Sequence, residues 1–197
     1  MTLNMFLFAA CGVLTWSLLE YVIHRFLGHY YRRNPFAAEH IRHHAEGDYF
    51  APTWKKLLAA LGAAAITLPP AVLAFGTANG SAYVAGFIFF YGVYEFLHRR
   101  EHTHSGFGPY GRWARRHHFT HHFVDARFNH GVTSPIWDFV FGTYKQPTTI
   151  MVPRKMCMAW LKDETTGEVK KEWASIYRFP PRRAQAAASL PPESVSS

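Results

Sequence analysis

The chain has only two cysteines, Cys11 in an apolar run and Cys157 in a polar segment, and no CxxC pair. Neither a disulfide framework nor a thiolate metal site is indicated. Charge is also missing over long stretches. No Lys, Arg, Asp or Glu occurs from Leu57 to Tyr94, and Glu20 is the only charged side chain before His24. No basic residue precedes the first apolar run, so that run is expected to be a permanent span and not a cleaved signal peptide. The net charge of +8 would suit an anionic partner. No nucleic-acid fold signature accompanies it, and no nucleic-acid partner is expected.

What is present is divided just as unevenly. All 21 basic residues fall between Arg25 and Lys56 or between Arg99 and Arg183. Apolar runs fill the gaps: Met5 to Ile23, Leu57 to Phe75 (interrupted by Pro69 and Pro70) and Ala82 to Leu97. Each approaches the length that crosses a bilayer. Ala78 to Ser81 reads as a polar turn, and its sequon Asn79-Gly80-Ser81 is expected to go unused. Three spans with the N-terminus outside put both basic blocks in the cytoplasm, in keeping with positive-inside asymmetry. From Phe179 the Pro, Ala, Ser and Arg-rich tail (179–197) reads as disordered.

Histidine is the abundant oddity, with 13 copies. Ten lie in four groups: His24 and His29; His40, His43 and His44; His98 and His102; His118, His121 and His122. On a helix, HxxHH gathers its rings within a sector of roughly 100°, and HxxxH stands one turn apart on one face. His24 and His29 would lie about 140° apart on a straight helix. Gly28 is expected to let the backbone turn there, so that the pair reaches two metals or one metal from two directions. Any one group is as easily a set of solvated interfacial histidines as a site. Four together, with HxxHH twice, point to a metal centre. Ten nitrogens exceed what one ion holds, and triplets suit a polynuclear site better than bis-histidine haem, so two metals is the economical count. His104, His117 and His130 are left outside the ligand set. Glu95, three residues before His98, and Glu20, four before His24, are candidates to accept the outer N–H of a metal-bound imidazole. Gly106 to Gly111 matches GxGxxG by letter, but Pro109 sits inside it and no strand precedes it, so it reads as a loop.

The four boxes in this order resemble the fatty-acid hydroxylase and sterol desaturase superfamily. So do Leu19 to Phe26 around His24, and Asn129 to Asp138 followed by Phe141-Gly142-Thr143. The resemblance spans Trp16 to Tyr144. It implies an all-α integral-membrane domain (1–178) of about three transmembrane helices with a cytosolic helical cap, in a bacterial inner membrane. The cap would hold two iron ions on the ten histidines, with zinc as a replacement in purified samples. Dioxygen would be co-substrate, and a lipid, such as a fatty acyl chain or a sterol-like molecule, would be hydroxylated or desaturated. With no fused cytochrome b5 domain, electrons would come from a separate cytochrome b5-, ferredoxin- or rubredoxin-like protein. His130 stands where related chains often carry an aromatic. A carotenoid ring hydroxylase is the alternative within enzymes. A non-enzymatic metal-binding or transport protein is the alternative outside them, although it would want ionisable residues along the spans.

Overall fold

An uncharged stretch needs apolar surroundings, and here it does not find them inside the protein. The computed structural model describes residues 2–106 and 108–181. In it the continuous helix Leu3–Tyr30, which begins as α1 (Leu3–Val22), and α3 (Thr53–Thr103) are long and apolar enough to cross a membrane. Only 22% and 6% of their most apolar windows are buried. A core helix of a soluble protein would be mostly covered. Side chains such as Ile66 and Leu73 stand 77% and 87% exposed, a surface that suits hydrocarbon and not water. The molecule is a membrane protein.

Hydrogen bonding joins α3 into one element, but its direction makes it two limbs. Gly76 leaves helical space at φ 76°, ψ 162°, a conformation that L side chains rarely adopt. The limbs, 53–75 and 77–103, then run back along each other. Tyr91 Oη donates to the Lys56 carbonyl at 3.2 Å, and Lys56 pairs with Glu95. The reversal therefore falls earlier than the expected turn at Ala78 to Ser81. Those residues, sequon included, are helical, because one glycine of positive φ does what a polar run was expected to do.

α1 lies against the second limb closely enough to need glycine on both sides. A Cβ on Gly12 would collide with the Tyr83 carbonyl, and one on Gly86 with the Ala9 carbonyl. Small residues permit such backbone contact between membrane helices. Gly86→Leu is expected to destabilise the protein by about 3 kcal/mol, read as a lower thermal midpoint in detergent; an unchanged midpoint would contradict this packing.

Beyond the membrane helices the chain builds a cap. α1 runs on into a π-helical segment (Ile23–Tyr30), followed by α2 (Pro35–Glu46), α4 (Gly108–Phe123) and α5 (Ile136–Val140). α2 starts on Asn34, whose Oδ1 accepts from Ala37 N at 2.8 Å, with Pro35 in the first turn. Within the expected loop at Gly106 to Gly111, residues 108–111 are helical: Gly108, at φ 75°, begins α4, and Pro109 follows in its first turn, where its missing N–H costs nothing.

The all-α expectation needs correcting at residues 144–181. β1 (Ile150–Met151) pairs in parallel with β2 (Tyr177–Arg178), Ile150 opposite Tyr177. Phe119 of α4, Ile150, Val152, Leu161, Trp173 and Tyr177 form an apolar core beneath them. Two-residue strands and prolines leave no period for a sequence pattern to show. Of the expected disordered tail, everything from residue 182 lies outside the described residues.

Candidate metal centre

The first box owes its geometry to a winding change. A π-helix bonds each N–H to the carbonyl five residues back, as Tyr31 N does to Phe26 O at 2.6 Å. Residues five apart then stand nearly in line, so His24 and His29 share one side instead of diverging by about 140°. Gly28 has a different task from the turn expected of it. A Cβ there would lie 2.9 Å from His40 Cδ2, so glycine leaves room for that ring.

All ten histidines converge, and they do so as two groups of five. His24, His29, His40, His44 and His121 form one; His43, His98, His102, His118 and His122 form the other. Within each group the potential ligand atoms lie within 4.8 Å of one another. Each HxxHH helix serves both groups. Its two histidines four apart, His40 with His44 or His118 with His122, go to one group, and the remaining member goes to the other. The π segment adds two to the first group and the end of α3 adds two to the second. The groups touch where His44 stacks on His122, with ring centroids 4.0 Å apart and planes 4° from parallel.

The nitrogens face inward. His29 Nε2 is 2.8 Å from both His40 Nε2 and His121 Nε2; His43 Nε2 is 2.9 Å from His98 Nε2, and His102 Nε2 is 3.0 Å from His118 Nε2. Adjacent ligands on an ion bound at about 2.1 Å would be separated by about 3.0 Å. His24 Nε2, His44 Nε2 and both nitrogens of His122 are buried without a hydrogen-bond partner among the described residues. Burial pushes His43 down to about 4, and burial followed by neighbouring imidazoles pushes His40, His44, His118, His121 and His122 well below the ordinary histidine range. The rings are therefore neutral at pH 7. Buried neutral lone pairs that converge without protons fit a bound cation, and imidazole suits iron, zinc, copper or nickel.

Backbone carbonyls orient the rings from outside. Nδ1 of His24 reaches His130 O at 2.6 Å, Nδ1 of His43 reaches Tyr49 O at 2.6 Å, and Nδ1 of His121 reaches Phe128 O at 2.7 Å. Such a bond puts the ring proton on Nδ1 and turns Nε2 toward the centre. The carboxylates expected in this role do other things. Glu95 is engaged by Lys56. Glu20 accepts from Val132 N at 2.5 Å, Thr133 N at 2.9 Å and Thr133 Oγ1 at 2.7 Å. It thus pins the loop that offers His130 O to His24, one step removed from the ring. Glu20→Gln places an amide N–H₂ against these donors. It is expected to cost about 1–3 kcal/mol and to weaken metal retention in the first group about 10–100-fold, measured by melting and by chelator competition. Retention equal to wild type would remove Glu20 from this role.

The three histidines left out of the ligand set lie outside both groups. His104 is exposed beside Thr103 Oγ1, 2.8 Å away. His117 donates Nε2–H to Asp138 Oδ2 at 3.1 Å, and His130 packs its ring 5.3 Å from that of His121. Sequence reasoning missed Asp138, Asn129 and Glu101. Asp138 and Asn129 lie inside the segment that carried the family resemblance, which was the only signal for them. Glu101 had none.

A cavity of about 640 Å³ opens between the membrane helices. Its wall includes Ala63, Phe87 and Ile88 at one end, and His24, His40, His43 and His98, two from each group, at the other. Lys55, Lys56, Glu39 and Glu95 are among its polar side chains, paired as Lys55–Glu39 and Lys56–Glu95, and Glu20, Tyr91 and Tyr94 also line it.

Fold and site together define a membrane protein with twin histidine clusters in its cap. The fatty acid hydroxylase family model matches residues 9–143, and the chain belongs to that family. It is 34% identical to a dihydroceramide fatty acyl 2-hydroxylase of Arabidopsis thaliana, over 70% of this chain and 60% of that one. It is 35% identical to the ceramide very long chain fatty acid hydroxylase of Saccharomyces cerevisiae, over 72% and 38%. Among solved structures, full-length scs7p, with only its hydroxylase domain visible, aligns at a TM-score of 0.56 and 32% identity, over 73% and 57%. The chain thus spans between about two fifths and three fifths of these relatives' lengths.

Proposed function

We propose that this protein is a membrane-bound, dioxygen-dependent di-iron hydroxylase of a fatty-acyl lipid. The observation that carries the proposal is the cavity, which runs from lipid-facing helices to both histidine groups at once. Its volume lies within the range of about 300–1,000 Å³ usual for small-molecule sites. One ion would be held by His24, His29, His40, His44 and His121, the other by His43, His98, His102, His118 and His122. Two irons so placed would supply dioxygen activation and removal of hydrogen from an unactivated C–H bond. The protein's own part is placement and dryness. Phe87, Ile88 and Ala63 hold an alkyl chain and exclude water, while the paired lysines and glutamates meet the polar end of the lipid. The relatives named as hydroxylases favour hydroxylation over desaturation, and the one named a fatty acyl 2-hydroxylase favours position 2 as the carbon attacked.

Three crossings, by α1 and the two limbs of α3, put the N-terminus outside and the histidines with both basic blocks on the cytoplasmic side. There a separate cytochrome b5-, ferredoxin- or rubredoxin-like donor delivers electrons. Transport of metal is disfavoured because residues 57 to 94 offer no ionisable Asp, Glu, Lys, Arg or His along the limbs. The test is mass spectrometry of total lipids from cells grown under isotopically labelled oxygen gas, expressing wild type or His118→Ala. One labelled oxygen in a fatty-acyl lipid of the wild type alone is the expected result. Loss of two hydrogens without label would make the enzyme a desaturase, and label confined to carotenoid rings would overturn the acyl substrate.

A further inference from the structure

Glu101 sits between His98 and His102 on α3 and is wholly buried. Neither of its carboxylate oxygens has a hydrogen-bond partner among the described residues. Leaving a buried carboxylate unsatisfied costs more than leaving almost any other group so, and such a group normally marks a missing cation or a function. The guanidinium that acts on it electrostatically, that of Arg115, does not fill the role. Arg115 packs beside Glu101, but its guanidinium donates to backbone carbonyls: to Glu101 O at 3.0 Å, to Ser105 O at 2.5 Å and to His104 O. The same guanidinium lies over the Trp160 ring, 4.1 Å from its centroid. The side chain of Glu101 points elsewhere. Its Oε2 is 3.9 Å from His118 Nε2, the nitrogen that also meets His102 Nε2 at 3.0 Å inside the second group.

We propose that Glu101 is a carboxylate donor to the metal of the second histidine group, completing a set of five imidazoles and one oxygen. This rests on the reading of that group as a metal site. At 3.9 Å from His118 Nε2 the carboxylate stands beyond the roughly 3.0 Å of adjacent donors on an ion bound at about 2.1 Å, and outside the five side chains whose donor atoms all lie within 4.8 Å of one another, so a short swing of the flexible Glu101 side chain would bring it to the ion. The consequence is an asymmetry that the two groups of five do not otherwise show. Glu20, the buried acid beside the first group, already spends its oxygens on Val132 and Thr133. The second group alone would then have a carboxylate beside its imidazoles, and an ion held there would carry one compensating negative charge that an ion in the first group would lack. A bound cation is the largest local charge in such a site, and an anionic ligand favours its more oxidised state.

Cobalt(II) titration of the purified, metal-stripped full-length protein tests this without turnover. Wild type should bind two equivalents. Glu101→Gln should bind the first as wild type does and the second at least tenfold more weakly, with a more intense visible band as a six-coordinate ion becomes five-coordinate. Glu101→Asp, which keeps the charge on a shorter arm, should recover part of the affinity, and should do so even if the glutamine variant proves too unstable to purify. Wild-type affinity and spectrum in Glu101→Gln would overturn the assignment of Glu101 alone. Failure of the wild type to bind two equivalents would overturn the metal-centre reading and this assignment with it.

Discussion

His118→Ala is expected to abolish lipid hydroxylation and to reduce bound metal from two ions per chain to one, whereas His104→Ala should change neither. His118 is almost fully buried, and its Nε2 is one of the five nitrogens of the second group, 3.0 Å from His102 Nε2. Its ring lies 4.7 Å from that of His98 and 4.4 Å from that of His122. Truncation removes a ligand and lets its neighbours turn into the space, so an affinity loss beyond the 10–100-fold of an outer-shell change is expected. The His104 side chain is exposed and bonds Thr103 beside it, while the carbonyl that Arg115 reaches is kept in the alanine variant, so its loss belongs with neutral surface substitutions, within about 0.5 kcal/mol. The informative control is His117→Ala, one residue from His118. It deletes a buried bond to Asp138 and should cost about 1–3 kcal/mol, yet it should retain two ions because its ring belongs to neither group. Metal analysis beside thermal melting separates these cases. Two ions bound by His118→Ala would sink the ligand assignment, and one ion bound by His117→Ala would show that metal loss merely follows instability.

The ten histidines were legible because the helix period turns HxxHH and HxxxH into faces, and because no neutral explanation covers four such groups together. Their partition was not legible. Nothing in the letters says that His43 parts company with His40 and His44, or His121 with His118 and His122; that depends on how α2 and α4 straddle two centres. The first box misled for a definable reason. A five-residue spacing reads as divergence on an α-helix, and only the i→i+5 winding of Ile23–Tyr30 reconciles it with one centre. Apolar runs gave the membrane helices, while the turn between the limbs was placed at polar residues and not at Gly76. The two acids were chosen by proximity in sequence to His24 and His98. That proximity is a weak guide, since the acceptors found on His24, His43 and His121 are carbonyls of His130, Tyr49 and Phe128, brought up by loops. The lobe at 144–181 was missed altogether, although Trp160 Nε1 donates to His102 O at 2.9 Å and so reaches the second group from outside.

Asp138→Asn is expected to empty the first group while sparing the second. The Asp138 carboxylate accepts from four donors: His130 N at 2.9 Å and Thr143 Oγ1 at 2.7 Å on one oxygen, Gly131 N at 2.9 Å and His117 Nε2 at 3.1 Å on the other. Burial alone would raise its pKa, but the bonds from His117 and Thr143 outweigh this and hold it below the usual aspartate range. A folded-state pKa below the unfolded one means that this contribution is fully present above about pH 4 and fades as pH falls through the folded value. An asparagine keeps the shape but turns one acceptor into a donor, which must face a fixed backbone donor, His130 N or Gly131 N, whichever way the amide lies. The cost should be about 3–5 kcal/mol, as for a broken buried charged network. Its effect is directional. The strand of chain that Asp138 ties down, with Asn129 at φ 58° bonded to Lys145 O at 2.7 Å and to His117 O at 3.0 Å, carries the carbonyls of Phe128 and His130. These orient His121 and His24, both of the first group. His43 in the second group leans on Tyr49 O, well away from this loop in sequence. Cobalt titration of Asp138→Asn should therefore show the mirror image of His118→Ala: the weaker equivalent is now the one bound by the first group, and the proposed hydroxylation fails in both variants, each through loss at a different group. Equal weakening of both equivalents would mean that Asp138 holds the cap together as a whole and does not orient one centre.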